Sequence, residues 1–412
     1  MIQASGMVIT DKDKELMIDA INAGEISYGK YNKLAETALA EYEGKKKALL
    51  VNSGSSANFL ALMAFTSRDM YSGLRLYPGA EVITTAAAFP TTVAPIVQAG
   101  AVPVFVDIDE TYNIDVSQLE RALSKKTKGV MIAHTLGIPF NIDAVRAFCD
   151  KHQLFFIADC CDALGSLYKG KPVTMYGDVV TNSFYPAHHI TAGEGGAVLT
   201  DDPNIAGIVQ SLRDWGRSCK CDPGKNSACG KRFDGQFGTL PEGYDHKYVY
   251  SHLGYNLKMT NVQAALLWSQ LKRIDEYRDI RRTNFRVMFN ILYEYTFPYH
   301  LRDGVWIDYS ILAEEYSEPS WFGFPVYLPK KVNRKRVLTK LSESGIDTRL
   351  LFAGNILDQP IQSFEYRIAG KLDLTDEVRD RMFWIGCWHG LNSETVLRVA
   401  KIVYTVIQEE LK

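Results

Sequence analysis

Short apolar runs recur through the first half of the chain: EVITTA, VPVFVDID, KGVMIAHT, LFFIAD, DVVTNSFY and GGAVLT. Between them lie segments such as VSQLERALSK and DAVRAFCDKH, whose apolar positions fall at helical spacing. A strand covered on both faces reads as a continuous apolar run, and a helix lying on the sheet shows one apolar stripe. Their alternation predicts βαβ units and a mostly parallel sheet. Ahead of this region, residues 12 to about 65 read as helical segments around a short strand, Ala48-Leu49-Leu50-Val51, and a Gly/Ser loop, Ser53-Gly54-Ser55-Ser56, with a helix opening at Ala57. Between about 216 and 255 the pattern lapses into a Gly/Cys/Lys-rich insertion, and a long helix is expected from Thr260 to about Leu292. The remainder mixes a strand (FGFPVYL) with helices (NRKRVLTKLSESG, ETVLRVAKIVYTVIQEELK). The expected organisation is a large domain over 1–292 and a smaller C-terminal α/β domain over 293–412.

Composition narrows the class without changing that picture. The chain has 412 residues, 46% hydrophobic and 23% charged, the balance of a folded globular protein. Its formal net charge of −2 gives no basis for binding nucleic acid or anionic lipid through overall charge. No apolar run reaches the roughly 18–20 residues of a membrane span. The segment MIQASGMVITDKDKELM lacks the basic and apolar regions of a signal peptide, so a cytoplasmic protein is expected.

Seven cysteines argue for thiols or metal ligands rather than a disulfide framework. Cys149 and Cys387 read as small buried apolar residues. Cys160-Cys161 and Cys219/Cys221/Cys229 form two groups. Three cysteines in eleven residues, with no histidine at zinc-finger spacing, leave zinc, iron–sulfur and no metal open. Either metal requires a fourth ligand, for which Cys161 is the candidate.

Other chemistry collects at predicted strand ends. The Gly/Ser loop at 53–56 lies between a strand and a helix, where unpaired N–H groups and the helix dipole favour phosphate, although a plain turn and cap would look the same. Asp159 ends the run Leu154–Ala158, at the edge where open α/β sheets place ligands. A carboxylate there suits a protonated ring nitrogen, and equally a helix cap. The loop SFYPAHHITAGEGG joins two strands and carries paired histidines, side chains suited to proton transfer near neutral pH.

VNSGSSAN, AFPTTVAPIVQAGAVPVFVDID, the strand ending in Asp159, SFYPAHHITAGEGGAV and HLGYNLKMTNVQAA together resemble the DegT/DnrJ/EryC1/StrS family of pyridoxal-phosphate-dependent sugar aminotransferases and dehydratases. The resemblance runs from about Gly29 to the C-terminus. It implies the type I aminotransferase fold, a mostly parallel sheet in a large domain plus a smaller C-terminal α/β domain. In the family pattern SFxxxKxxTxGEGG a lysine binds the cofactor covalently; counting from Ser183, His188 stands there. An imidazole cannot form that Schiff base. The departure resembles the family's sugar 3-dehydratases, in which histidine replaces lysine and pyridoxamine phosphate (PMP) is the working cofactor. One subgroup carries a [2Fe–2S] cluster on C-x57-C-x-C-x7-C. Cys161, Cys219, Cys221 and Cys229 are separated by 57, one and seven residues and fall in that register.

Carried over by position, the resemblance implies that Gly54, Ser55 and the Ser183 hydroxyl bind the cofactor phosphate. Phe89 would stack on the pyridine ring, and Asp159 would pair with its nitrogen. Asp162 stands where family aminotransferases often have glutamine near the ring hydroxyl. Asn256 would reach the phosphate of a neighbouring subunit in a homodimer. Arg349, Gly354 and Asn355 resemble sugar-nucleotide contacts, and Asp358 stands where that subgroup has a basic residue. His188 would be the general base and His189 structural. The implied reaction is C3 dehydration of a nucleotide-linked 4-keto-6-deoxyhexose, CDP-linked by subgroup. Electrons for 3-deoxygenation would come from a separate flavin/iron–sulfur reductase. The competing expectations are a cluster-free dehydratase with structural zinc and a non-catalytic binding protein. If the backbone stays extended past Asp159, Cys161 shares its face. A sharp turn at Cys160 would instead send Cys161 outward.

Overall fold

The computed structural model describes residues 1–219, 221, 230–295 and 317–412. Its strands are β1 (Lys47–Val51), β2 (Glu81–Thr85), β3 (Val102–Val106), β4 (Thr127–Ala133), β5 (Phe155–Asp159), β6 (Leu167–Tyr168), β7 (Lys171–Pro172), β8 (Val179–Ser183), β9 (Gly196–Thr200), β10 (Ser317–Glu318), β11 (Phe324–Tyr327), β12 (Thr348–Arg349), β13 (Arg367–Ile368) and β14 (Met382–Ile385). Eight of them form one sheet in the order β1-β9-β8-β5-β4-β2-β3-β13. From β8 to β13 every neighbouring pair is parallel, and β9 runs antiparallel to both β8 and β1. The expected mostly parallel α/β sheet is therefore present.

The central strands are continuous apolar runs because both faces of the sheet are covered. Phe156 and Ala158 of β5 join a core with Ala35, Leu39, Val145 and Leu267, from helices on one face. Phe155 and Ile157 join a second core with Leu60, Phe65 and Val209 on the other. A third core unites the three-stranded sheet β11-β14-β12 with Phe285, Met288 and Leu292 and with Val399, Val403 and Ile407.

The helix expected from Thr260 to about Leu292 is two helices, Asn261–Leu271 and Ile274–Leu292. At the break Arg273 has φ −117° and ψ 6°. Its guanidinium donates to Thr10 Oγ1 and to both oxygens of buried Asp13 at 2.8 Å. This long-range anchor fixes the joint, and apolar periodicity carries no trace of it. Among the described residues no helix is long and apolar enough to cross a membrane.

Strand direction positions the site. Parallel strands present their C-terminal ends at one edge, where ligands of open α/β sheets collect. Being antiparallel to β9, β1 points the same way as β8, and Val51 and Ser183 both pair with Gly196. The loops after β1, β2, β4, β5 and β8 therefore open at one edge.

One buried acid makes the fold sensitive to pH. Glu43, 1% exposed, has an Oε1 without a hydrogen-bond partner among the described residues, and burial pushes its carboxyl from the ordinary 4.5 up to about 7. Its neutral form is favoured in the folded chain, so the stability it allows is full below pH 4.5 and is lost as pH rises through 7. At 1.36 kcal/mol per unit this is about 3 kcal/mol. Glu43→Gln should therefore gain stability over the parent by about that amount between pH 4.5 and pH 8 in urea denaturation. A difference that does not change with pH would refute the assignment.

Candidate active site

A cavity of about 510 Å³ opens at this edge, within the range of small-molecule sites. Gly54, Ser55, Phe89, Asp159, Cys161, Asp162, Ser183, His188 and Arg349 all line it. Residues far apart in sequence meet there because strand ends meet there.

Asp159 ends β5 and is 4% exposed. Its Oδ2 accepts from Asn58 Nδ2 and Thr92 Oγ1, each at 2.7 Å, and its Oδ1 accepts from the Cys161 backbone N–H at 3.1 Å. A buried carboxylate needs such donors, since leaving it unpaired costs several kcal/mol. The last of these bonds tightens a turn, and Ala163 N–H to Cys160 O continues it. The extended path past Asp159 is thus corrected: the chain turns at Cys160. Cys161 nonetheless lines the same cavity.

Ser53 caps the helix Gly54–Ala64, its side chain accepting from Ser56 N–H at 3.0 Å. Gly54 and Ser55, whose N–H groups open that helix, line the cavity, and a helix start of this kind suits an anion. A Cβ on Gly54 would lie 2.5 Å from Ser183 Cβ and 3.2 Å from Cys161 Sγ, so only glycine lets the helix start approach this closely. Phe89 precedes the helix Pro90–Gln98, is 50% exposed and lies edge-on to Phe352 at 6.4 Å. Carboxylate, helix N-terminus and open aromatic face together fit a flat, phosphate-bearing ring with a basic nitrogen.

His188 follows β8 in the loop that leads to β9. Its Nδ1 lies 3.5 Å from Asp162 Oδ1. Neither His188 Nδ1 nor Asp162 Oδ2 has a hydrogen-bond partner among the described residues. Burial, reinforced by the Arg281 guanidinium, lowers the imidazole to about 3, so it is neutral at pH 7. Burial and the nearby Asp159 raise the Asp162 carboxyl well above the usual carboxylate range. His189 is fully buried, with Nε2 2.7 Å from Ser320 O, a structural bond.

Several expected positions lie elsewhere. Asn256 is exposed outside this cavity and accepts from Lys258 Nζ at 2.8 Å. Gly354 and Asn355 do not line it. Asn355 caps the 3₁₀ turn Ile356–Asp358 and donates to Asp376 Oδ1 at 2.9 Å. Asp358 pairs with Arg379. Cys219 and Cys221 stand together with His246, in a group that does not include Cys161. Cys229 lies outside the described residues.

A family model described as the DegT/DnrJ/EryC1/StrS aminotransferase family matches residues 8–404. The chain belongs to that family. Among its relatives is the lipopolysaccharide biosynthesis protein RfbH of Salmonella typhimurium, 49% identical over 399 residues, 96% of this chain and 89% of that protein. The dTDP-4-dehydro-2,6-dideoxy-D-glucose 3-dehydratase of Saccharopolyspora spinosa is 44% identical over 402 residues, 96% of this chain and 84% of that protein. A solved structure of the E. coli GDP-4-keto-6-deoxy-D-mannose-3-dehydratase with bound hydrated PLP superposes with a TM-score of 0.85 at 26% identity, covering 98% of this chain and 99% of that one. The fold is that of the PLP-dependent aminotransferases, and this member of the family is an enzyme.

Sequence reasoning missed Asn58, Thr92, Phe322 and Arg281. The first two are ordinary helix residues until the fold turns them toward Asp159. Phe322 packs its ring 5.1 Å from that of His188. Arg281, from the helix Ile274–Leu292, is fully buried with no carboxylate partner among the described residues. It donates to the carbonyls of Trp321 (3.0 Å), Phe322 (3.3 Å) and His188 (3.0 Å), tying the His188 loop to the segment before β11. Arg281→Met strips three buried carbonyls of a donor and should cost about 3 kcal/mol in urea denaturation. It should also speed amide hydrogen exchange in residues 184–192. An unchanged midpoint and exchange pattern would remove Arg281 from this role.

Proposed function

We propose that the chain is a PMP-dependent 3-dehydratase acting on a nucleotide-linked 4-keto-6-deoxyhexose. The observation that carries the reading is His188: a neutral imidazole in the cavity at the family's lysine position, beside a hydrogen-bonded Asp159. Two relatives named as sugar 3-dehydratases, one for a dTDP-linked and one for a GDP-linked sugar, support it. CDP remains the proposed nucleotide, on the cysteine spacing, and a turnover screen of CDP, dTDP and GDP sugars decides between them.

Bound in the cavity, the cofactor would supply an amine for the C4 ketone and a pyridinium that withdraws electrons. In this reading the N–H groups of Gly54 and Ser55, with the Ser183 hydroxyl, hold its phosphate. Phe89 stacks on the ring. Asp159, oriented by Asn58 and Thr92, keeps the ring nitrogen protonated. His188 would take up the proton from C4′ and, as the imidazolium, return it to the C3 hydroxyl of the sugar, which would leave as water. Histidine does this as a base and, unlike lysine, does not bind the cofactor covalently. Arg349 faces the nucleotide sugar from the cavity wall, with Gly354 and Asn355 shaping the segment behind it. The same reading takes residues 1–292 as the cofactor-binding part and 293–412 as the smaller part. It includes a homodimer in which Asn256 serves the partner's phosphate, a role that suits its exposed position.

Cys161 lines the cavity, Cys219 and Cys221 stand with His246, and Cys229 lies outside the described residues, so the four-cysteine [2Fe–2S] cluster rests in this reading on the cysteine spacing alone. Reduction by a separate flavin/iron–sulfur reductase remains the part of the proposal that rests on the cysteine spacing.

The test is deuterium exchange at C4′ of bound PMP in D₂O with a 4-keto-6-deoxyhexose nucleotide. His188→Ala should slow exchange by at least about 10²-fold while PMP stays bound. Exchange at the parental rate would sink the reading. His188→Lys should restore covalent cofactor binding, visible as absorbance shifted from free PLP.

A further inference from the structure

The cavity has two unlike sides. The strand end of β5, the strand end of β8 and the loops after them give it Asp159, Asp162, Ser183 and His188. The sheet β11-β14-β12 and the segments flanking it give Phe322, Arg349, Leu350, Phe352 and Trp384. Among these five only Arg349 is charged. The one polar side-chain atom of the other four, Trp384 Nε1, already donates to Leu350 O at 3.1 Å.

The apolar side is fixed in place from several directions. The Phe322 ring lies 5.1 Å from that of His188 and 5.3 Å from that of Trp384. Arg281 donates to the carbonyls of both Phe322 and His188, which holds that ring against the imidazole. A Cβ on Gly323 would stand 2.4 Å from Trp384 Cε3, so only glycine lets the two segments approach this closely. Trp384 pairs with Arg349 across β14 and β12, and paired residues of neighbouring strands share a face. Phe352 has φ 45°, a left-handed backbone uncommon for a bulky side chain. Bonds from Ala353 N–H to Ala88 O at 3.2 Å and from Gly354 N–H to Leu351 O at 2.8 Å hold it there. Such strain persists where the surroundings impose it, commonly at binding sites. His188, Phe322, Trp384 and Arg349 thus form one continuous wall from the imidazole to the cation.

If His188 serves C4 and C3 of the sugar, as the proposed function has it, Arg349 is the side chain suited to the diphosphate on C1. Two edges of the pyranose ring join C4 to C1. The edge through C3 and C2 carries hydroxyls, whereas the edge through C5 and the ring oxygen carries C6. A hydroxyl set against a wall whose side chains offer no free hydrogen-bonding group loses its water partners and gains none. A methyl group meets no such cost, and its burial is favourable. We propose that the wall of Phe322, Leu350, Phe352 and Trp384 receives the C5–C6 edge of the sugar and selects a 6-deoxyhexose over a hexose that keeps its 6-hydroxyl.

The test titrates the CDP, dTDP and GDP conjugates of D-glucose and of 6-deoxy-D-glucose into the PMP-loaded protein by calorimetry. The members of each pair differ only at C6, and neither has a C4 ketone to react. With the nucleotide that binds best, the 6-deoxy conjugate should bind at least about tenfold more tightly. Phe322→Tyr puts a hydroxyl on the wall and should reduce that ratio at least about threefold. Leu350→Gln, at a half-exposed position, should reduce it as well, which keeps the test decisive if the tyrosine variant folds poorly. Equal binding within every pair by the parent, an undiminished ratio in both variants, or no binding of any conjugate overturns the proposal. The titration involves no proton transfer, so equal binding leaves the C4′ exchange reading intact. Exchange at the parental rate in His188→Ala sinks that reading whatever the binding ratio.

Discussion

A carboxylate withdrawn from water at the end of a central strand is tolerated only if its oxygens meet donors, and the donors that serve Asp159 bind distant parts of the chain to one another. Asn58 reaches it from the helix after β1, and Thr92 from the helix after β2. Asn58 in turn accepts from Thr181 Oγ1 of β8 at 2.6 Å, so the network crosses to the strand that leads into the His188 loop. The Cys161 N–H closes the last side and turns the chain back toward the cavity. Packing of two helices, direction of two strands and shape of one turn all depend on satisfying this single group.

Two aspartates three residues apart consequently differ in character. Asp159 is surrounded by donors, whereas Asp162 Oδ2 has none among the described residues and its carboxyl is pushed up by burial and by Asp159 itself. His188 is treated in the same way, since burial and the cation of Arg281 keep its imidazole neutral. Arg281 holds the same loop by its backbone, so one side chain places the histidine and reinforces what burial does to its charge.

The insertion is built differently. Trp215, Phe233, Tyr248 and Tyr250 are exposed there, and local backbone bonds carry much of its structure. Its described residues are absent from the three cores, and they bring Cys219, Cys221 and His246 together.

The apolar runs made the α/β class and the strands at EVITTA, VPVFVDID, KGVMIAHT, LFFIAD, DVVTNSFY and GGAVLT legible, and the family resemblance implied that Gly54, Phe89, Asp159, Ser183 and His188 meet, as they do in one cavity. Continuous apolar runs and strand-end polar residues are local signals, and parallel topology converts them into a shared edge. Only the tertiary structure decided the partners of those groups. Arg281 reads as one more polar position on a helix, and Asn58 and Thr92 as ordinary helix residues, until folding buries them against carbonyls and Asp159. The break at Arg273 depends on Asp13, some 260 residues away. Asn355 resembles a ligand contact by position, yet folding commits it to capping a turn. The cysteine spacing suggested one cluster, whereas folding places Cys161 in the cavity and His246 beside Cys219. Spacing along a chain bounds which atoms meet, and the backbone pairing of Arg217 with Tyr250 and of Ser218 with Val249 sets Cys219 beside His246.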